Sequence, residues 1–115
     1  MDVKQSEVVL CEFYFSDLKQ NKLRPVVVFK DNLPFDDFVG MPMSSKLDRL
    51  NNDEILVDES DFVEGFLPKR SKVMIRKTFV ISKQVVVKKY GTLSSQSFRK
   101  LHLAFCRYFG CEQLT

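Results

Sequence analysis

Short apolar runs separated by polar connectors make up the first part of the chain. The first two runs are residues 8–15 and 25–29, and both are rich in the β-branched and aromatic residues that favour strands. Residues 16–22 between them are mostly polar, which predicts a connecting loop. The second run has no polar interruption, so it predicts a central strand that is covered on both faces.

Further short apolar runs predict a succession of short strands along the middle of the chain. Gly40 and Pro42 lie inside one of them and indicate a bulge or a sheet edge. The polar segment at residues 46–54 is typical of either a turn or a single helical turn. The predicted strands are residues 38–43, 55–57, 73–75 and 79–81, and the predicted loops are residues 31–37 and 60–70.

The end of the chain carries a helical pattern. Between residues 94 and 109, apolar side chains recur every three or four positions, which predicts an amphipathic helix of about four turns. Ser94 or Ser95 can cap its start, and Gly110 lies where a C-terminal cap belongs. Short strands followed by one amphipathic helix predict a mainly β fold, a small and strongly bent barrel that the helix covers.

The length and composition are those of one globular domain. With 115 residues, of which 44% are hydrophobic and 29% charged, the chain is expected to form a single domain over residues 1–115. No apolar run approaches the roughly 20 residues of a membrane span, and the first residues lack the layout of a signal peptide. We therefore expect a cytoplasmic protein that does not associate with membranes.

The cysteines and the single histidine match no metal-site spacing. Cys11, Cys106 and Cys111 are expected to be small thiols that are buried or partly buried. His102 adjoins the apolar stripe of the predicted helix, which favours a structural role over a catalytic one. The sequence thus predicts no metal and no cofactor.

Charge is distributed unevenly along the chain. Residues 1–64 contain 7 Lys and Arg against 14 Asp and Glu, whereas residues 65–111 contain 11 Lys and Arg and no acid. Such a basic segment predicts a positive surface, and nucleic acid is the polyanion that such a surface usually binds. The alternative is a solvated face that is basic without binding anything.

Arg24 is the basic residue whose backbone is most constrained by the sequence. Pro25 fixes its own φ and biases the preceding residue toward an extended conformation. Arg24 is therefore predicted to begin a strand at the root of the loop, with a guanidinium held in a defined direction. The alternative is a structural ion pair with Asp17 or Asp31.

Three ordered segments near the start of the chain share the pattern of a known family. They read SEVVL at residues 6–10, FYFSDL at residues 13–18 and LRPVVV at residues 23–28. In this order they resemble the MazF/PemK (Kid) toxins, small metal-independent endoribonucleases of bacterial toxin-antitoxin pairs. The resemblance covers the first quarter of the chain and rests on several positions rather than on one motif.

The resemblance implies a fold, a function and partners. It implies an SH3-like barrel of the CcdB/PemK type that cleaves single-stranded RNA, such as mRNA, and thereby inhibits growth. It also implies a cognate acidic antitoxin and a symmetric homodimer with a basic groove across its two-fold axis. For residues 82–90, where three valines favour a strand and the lysines suit a helical turn, it favours a short helix ending at Gly91.

The resemblance also assigns the candidate site. RNA is cut without a metal when the 2'-OH attacks the neighbouring phosphate, which requires proton transfer and cations near the phosphorus. Arg24 matches the family's catalytic arginine, and Ser44 and Ser45 fall where the family has a Thr-Ser pair. The expected catalytic residues are therefore Arg24, Ser44 and Ser45. Independently of the family pattern, the cations of the loop and of the later basic segment are the expected RNA-binding residues, namely Lys19, Lys22, Arg76 and Lys77.

Two positions depart from the pattern of the family. Many relatives carry an Arg where this chain has Met74 and an acid where it has Arg76, and a guanidinium does not act as a base at neutral pH. Arg76 is thus either a second phosphate clamp or the sign of a barrel that binds RNA or protein and cleaves weakly or not at all. Both hypotheses stay open at this point.

Overall fold

The computed structural model describes residues 1–14 and 21–111, which form eight strands and one α-helix. Asp17 and Lys19 lie outside these residues. The elements are β1 Glu7–Tyr14, β2 Asn21–Lys30, β3 Asp37–Ser44, β4 Glu54–Val57, β5 Phe62–Gly65, β6 Ser71–Met74, β7 Phe79–Ser82, β8 Val86–Leu93 and α1 Ser95–Phe109.

All eight strands belong to one antiparallel sheet that is strongly bent. Its order is β4-β6-β3-β2-β1-β8-β5, with β7 paired to β3 beside this path. The two ends of the order, β4 and β5, are consecutive in the chain and are joined by residues 58–61 alone. A connection of this length spans at most about 18 Å, so the sheet must curl back toward itself. The predicted mainly β barrel with a C-terminal helix is confirmed.

The central strands β1 and β2 are buried on both faces, as the sequence predicts for β2. Val8 and Val27 contribute to an inner core with Met41, Ile75 and Leu101. The next residues along each strand point the other way because side chains alternate across a sheet. They contribute to a second core whose members are Val3, Val9, Cys11, Val26, Val28, Phe38, Ile81 and Val86.

The helix covers the inner core at the end of β2. Leu101 is buried, and the Phe29 ring lies 5.8 Å from the Phe98 ring and 4.9 Å from the Phe105 ring. Ser94 is the N-cap, since its side chain accepts a hydrogen bond from the Ser97 N–H. Gly110 ends the helix with a φ of 68°, a left-handed conformation that favours glycine. The sequence thus predicted this helix and both of its caps.

The prediction of a short helix at residues 82–90 is wrong. A single 3-10 turn, Lys83–Val85, is followed at once by the eight-residue strand β8. These residues form a strand and not a helix because they pair with β1 on one side and with β5 on the other, and because Val86 is buried in the second core. Gly91 lies inside this strand and faces the β5 backbone closely, so that an added Cβ would meet the Glu64 carbonyl oxygen.

Two strand boundaries also differ from expectation. The predicted loop at residues 60–70 contains β5, which pairs with the end of β8. Strand β2 begins at Asn21, so Arg24 is its fourth residue rather than its first. The first difference comes from pairing with the distant strand β8, and the second comes from pairing of residues 21–24 with the preceding strand β1. The local composition of these segments shows neither.

The basic second half of the chain is partly neutralised by acids of the first half. Lys89 Nζ lies 2.7 Å from Glu7 Oε2, and Lys83 Nζ lies 3.3 Å from Asp2 Oδ1. The hydrogen bond to Glu7 raises the pKa of Lys89. Lys83 and Lys89 thus have acidic partners, so the count of Lys and Arg in residues 65–111 overstates the positive charge that is left for a ligand.

The cysteines differ in exposure, and the described residues contain no cluster of side chains suited to a metal ion. Cys11 is buried and Cys106 is half-buried as expected, whereas Cys111 is exposed. Among the described residues no helix is both long and apolar enough to cross a membrane.

Candidate functional site

A cleft opens where β3 changes its neighbour. Strand β2 pairs with β3 only from Val26 onward, and the last residues of β3, Met43 and Ser44, pair with β6 instead. The first half of β2 therefore has β1 on one side and an opening of about 480 Å³ on the other. We call this opening the cationic cleft; its lining residues are Lys22, Leu23, Arg24, Pro25, Met43, Ser44, Ser45, Lys46, Asp48, Asn51, Glu54, Lys72, Met74, Arg76 and Lys77.

The cationic cleft brings together every expected site residue that the structure describes. Lys22 and Arg24 come from β2, the two serines from the end of β3, and Arg76 with Lys77 from the 3-10 turn after β6. These segments lie up to 55 residues apart in the sequence, between positions 22 and 77. Lys19, the remaining expected RNA-binding residue, lies outside the described residues.

Arg24 is half-buried and has no ionic partner within residues 1–14 and 21–111. Its neighbour across the β1–β2 register is Cys11, and burial raises the pKa of that thiol to about 12, so it stays neutral. The alternative of an ion pair with Asp31 is therefore not found, and Asp17 lies outside the described residues. The guanidinium is available to an anion in the cleft.

The serine pair occupies the end of β3 and the residue after it. The Ser44 Oγ accepts a hydrogen bond from the Lys46 N–H at 3.2 Å, and its own O–H remains available as a donor. Ser45 is exposed at the cleft. Both hydroxyls can therefore donate to a ligand oxygen in the cleft.

The turn that carries Arg76 and Lys77 is fixed by Asp53. The Asp53 carboxylate accepts the Arg76 N–H at 3.1 Å, and the Asp53 carbonyl accepts the Ile75 N–H at the same distance. Asp53 is buried, whereas Arg76 and Lys77 are exposed at the cleft. Buried Asp53 thus fixes the backbone of the turn, while the side chains of Arg76 and Lys77 line the cleft.

Lys72 and Glu54 are cleft residues that the sequence reasoning missed. Lys72 Nζ lies 3.0 Å from Glu54 Oε1 and 2.8 Å from the Arg49 carbonyl oxygen, and both side chains are almost fully buried. A hydrogen bond from the Asn51 N–H lowers the pKa of Glu54, and Lys72 and Arg76 lower it further against the opposing effect of burial. The signal in the sequence was a lysine directly before the apolar residues 73–75, where a charge that becomes buried needs a partner.

The cleft is a positive surface with an excess of cations. Its lining contains six Lys and Arg side chains and two carboxylates, one of which is the Glu54 that pairs with Lys72. The other, Asp48, is exposed and makes no ion pair with a described residue. Such a lining can hold several phosphates of one strand. His102 does not contribute, because it lies on α1 with its ring 5.7 Å from the Phe29 ring.

Comparison with known proteins places the chain beside bacterial toxins. A profile of the PemK-like, MazF-like toxins of type II toxin-antitoxin systems matches residues 4–109. No curated protein sequence matches significantly.

Solved structures with the same fold have little sequence in common with the chain. An endoribonuclease in complex with its cognate antitoxin, from mycobacterial species, has a TM-score of 0.71 and 16% identity over 95% of this chain and 96% of that one. The Mycobacterium tuberculosis toxin MazF-mt6 has a TM-score of 0.65 and 20% identity over 89% of this chain and 96% of that one. At these identities the similarity establishes the fold.

Proposed function

Because the chain belongs to the PemK-like, MazF-like toxins of type II toxin-antitoxin systems, we propose that it is a metal-independent endoribonuclease that cleaves single-stranded RNA and arrests growth. The observation that carries the proposal is the cationic cleft, in which Arg24, Ser44, Ser45, Lys22, Arg76 and Lys77 meet from distant parts of the sequence. A lining of this kind suits a phosphodiester backbone in a cleft too open to enclose it.

Arg24 is the catalytic cation in this proposal. Attack of the 2'-OH on the adjacent phosphorus forms a 2',3'-cyclic phosphate and breaks the bond to the 5'-oxygen, which leaves with the electron pair and takes a proton from water in the open cleft. Negative charge builds up on the phosphate oxygens during this step. A permanently charged guanidinium that has no carboxylate partner among the described residues stabilises that charge, and its fork can contact two oxygens at once. The rigid strand beneath it limits the reorganisation needed during the reaction.

The other cleft residues position the RNA. Ser44 and Ser45 donate hydrogen bonds to phosphate oxygens, while Lys22, Arg76 and Lys77 hold the flanking phosphates. Lys72 is already engaged by Glu54, so it shapes the floor of the cleft rather than binding the strand.

Asp48 is the candidate acceptor for the 2'-OH proton. Glu54 is a poor choice because its pKa is lowered and its Oε1 is occupied by Asn51 and Lys72. Asp48 is exposed in the same cleft without an ion partner among the described residues. Asp48→Asn should therefore lower the rate of cleavage while leaving RNA affinity equal or higher.

A second function is supported by Met74 and Arg76, which line the cleft where relatives carry an Arg and an acid. In that case the chain is a barrel that binds RNA or protein with little or no turnover. Electrostatic binding needs only the cations, so the two functions differ in product formation rather than in affinity.

The proposed partners follow from the same cleft. A cognate antitoxin with an acidic segment would occupy the cationic cleft and exclude RNA, because both ligands need the same cations. We also propose a homodimer in the cytoplasm, with a groove across the two-fold axis formed by the clefts of both subunits.

The test is cleavage of a labelled single-stranded RNA by the purified chain in EDTA and in magnesium. We expect products with 5'-OH ends in both buffers, and Arg24→Ala should lower the rate by about 10² to 10³-fold. The control is Arg99→Ala, an exposed arginine on the helix that lies outside the cleft. If the folded protein bound the RNA and left it intact in both buffers, the endoribonuclease function would be excluded. The second function, a barrel that binds without cleaving, would then be supported.

A further inference from the structure

A second cavity of about 310 Å³ adjoins the cationic cleft. Leu23, Pro25 and Ser45 line both openings, so the two form one continuous surface. We call the second opening the Tyr90 cavity after the residue of β8 in its wall. A strand bound in the cleft therefore passes its entrance.

The floor of the Tyr90 cavity is an apolar extension of the inner core. Leu10 and Pro25 are partners in the β1–β2 register, two residues beyond the core pair Val8 and Val27. Residues two apart on a strand share a face, so the floor continues the face that the core covers elsewhere. Leu67, which is buried, also lines the cavity.

Tyr90 gives the cavity an aromatic wall with a polar end. The ring packs partly against the inner core, and Lys88 Nζ lies 5.1 Å from its centroid. Its hydroxyl makes no hydrogen bond with another described residue. The exposed Lys69 lies in the same lining, so the cavity has both an aromatic ring and a cation.

We propose that the Tyr90 cavity takes one unstacked nucleobase of the RNA strand whose phosphates occupy the cationic cleft. This inference rests on the proposed function and adds a determinant of sequence preference to it. Proteins read single-stranded RNA by stacking splayed bases on aromatic rings and by hydrogen bonds to the base edges. Tyr90 supplies the ring, and the hydroxyls of Tyr90 and Ser45 supply donors and acceptors.

The hydroxyls favour a base over an apolar side chain as the occupant. A purely apolar group would cover the Tyr90 and Ser45 hydroxyls without giving them partners, which lowers affinity. A nucleobase has both an aromatic face and polar edges, and its phosphate would lie toward the cations of the cleft. The Tyr90 cavity thus suits the base of a nucleotide, and the adjoining cationic cleft suits its phosphate.

The first experiment measures binding of a fluorescent 2'-O-methyl RNA hexamer, which cannot be cleaved because its 2'-OH is blocked. Tyr90→Leu should weaken binding by about 5- to 150-fold, the range of one base stacked on one aromatic ring. A hexamer with an abasic site at one position should bind the wild type more weakly by a similar factor. The same abasic site should hardly change the binding of the hexamer to Tyr90→Leu. Tyr108→Leu, an exposed tyrosine on the helix, is the control and should bind like the wild type.

A second experiment uses the wild-type protein and does not depend on the folding of a variant. Hexamers with 5-iodouridine at each position in turn are irradiated, and crosslinked peptides are identified by mass spectrometry. We expect one position of the hexamer to crosslink to Tyr90.

The outcomes separate this inference from the proposed function. Cleavage of RNA by the wild type together with unchanged binding by Tyr90→Leu and no Tyr90 crosslink would overturn the base site alone. Absence of RNA binding by the wild type would overturn both. If Tyr90→Leu lost binding to an acidic antitoxin peptide while its RNA binding stayed unchanged, the cavity would be assigned to a protein partner and the proposal would be overturned.

Discussion

Lys72 Nζ lies 3.0 Å from Glu54 Oε1 in a buried ion pair that lines the cationic cleft. Glu54 Oε1 also accepts the Asn51 N–H, and Lys72 also donates to the Arg49 carbonyl oxygen. The pair joins β4 to β6 and keeps one lysine of the cleft neutralised. The ion pair therefore contributes both to the stability of the β4–β6 pairing and to the net charge of the cationic cleft.

Removing the Glu54 charge should destabilise the fold in a pH-dependent way. Glu54→Gln leaves the buried Lys72 without a counter-charge, so the free energy of unfolding at pH 7 should fall by about 3 kcal/mol. The pKa of Glu54 lies below its ordinary value of 4.5, so the pair stabilises fully above that pH and less as pH falls through the folded-state pKa. Urea titrations between pH 7 and pH 3 should show the variant approaching the wild type in acid.

The control for that series is Glu59→Gln, an exposed carboxylate without an ion pair among the described residues. It should shift stability by less than about 0.5 kcal/mol. A constant difference between Glu54→Gln and the wild type across the pH range would contradict the assignment of the effect to ionised Glu54.

Replacement of Gly91 tests the strand that the sequence reasoning missed. An Ala Cβ at this position would meet the Glu64 carbonyl oxygen and the Gly65 Cα of β5. Backbone atoms cannot rotate away, so Gly91→Ala should lower the free energy of unfolding by about 1 to 3 kcal/mol. Val87→Ala, at an exposed position of the same strand, is the control. Stabilisation by Gly91→Ala in thermal melts would instead support a helix at this position.

The affinity for single-stranded RNA should fall steeply with salt. Each phosphate neutralised by the cleft contributes about −0.7 to the slope of log K against log salt concentration, so three contacts give a slope near −2. Arg24→Ala should weaken binding and make the slope less negative by about 0.7, whereas Arg99→Ala should not. A flat salt dependence in fluorescence anisotropy titrations would point to a protein partner.

Substitutions of Arg76 distinguish two hypotheses: that this residue clamps a phosphate, or that it replaces a catalytic base. As a clamp held by Asp53, its removal in Arg76→Ala should lower both RNA affinity and the cleavage rate, by about tenfold. Arg76→Asp should lower them further, because it replaces an attractive charge with a repulsive one. Cleavage by Arg76→Asp above the wild-type rate would show that the position serves best as a base.

The cleft of one chain should be completed by a second copy. A domain of 115 residues presents only a shallow opening to a flexible polyanion, and two clefts across a two-fold axis would double the contacted length. Sedimentation at micromolar concentration should therefore give a dimer. A monomer over that range, with RNA cleavage intact, would show that one cleft suffices.

The sequence alone determined the elements whose pattern is local. The apolar runs at residues 8–15 and 25–29 and the helical spacing at residues 94–109 gave strands and a helix that are present in the structure. Ser94 caps the helix through its own side chain and Gly110 through its own backbone conformation, so both roles could be read without tertiary information. The family pattern selected Arg24, Ser44 and Ser45, which the cleft brings together.

Tertiary structure decided the features that depend on partners far along the chain. Residues 86–93 are a strand because β1 and β5 pair with them, and no local pattern separates that outcome from a helix. The cationic cleft exists because β3 leaves β2 for β6, and the Glu54–Lys72 pair because β4 and β6 are adjacent. Strand pairing is chosen by contacts over long sequence separations, so composition predicts a strand while only the folded sheet decides its neighbours.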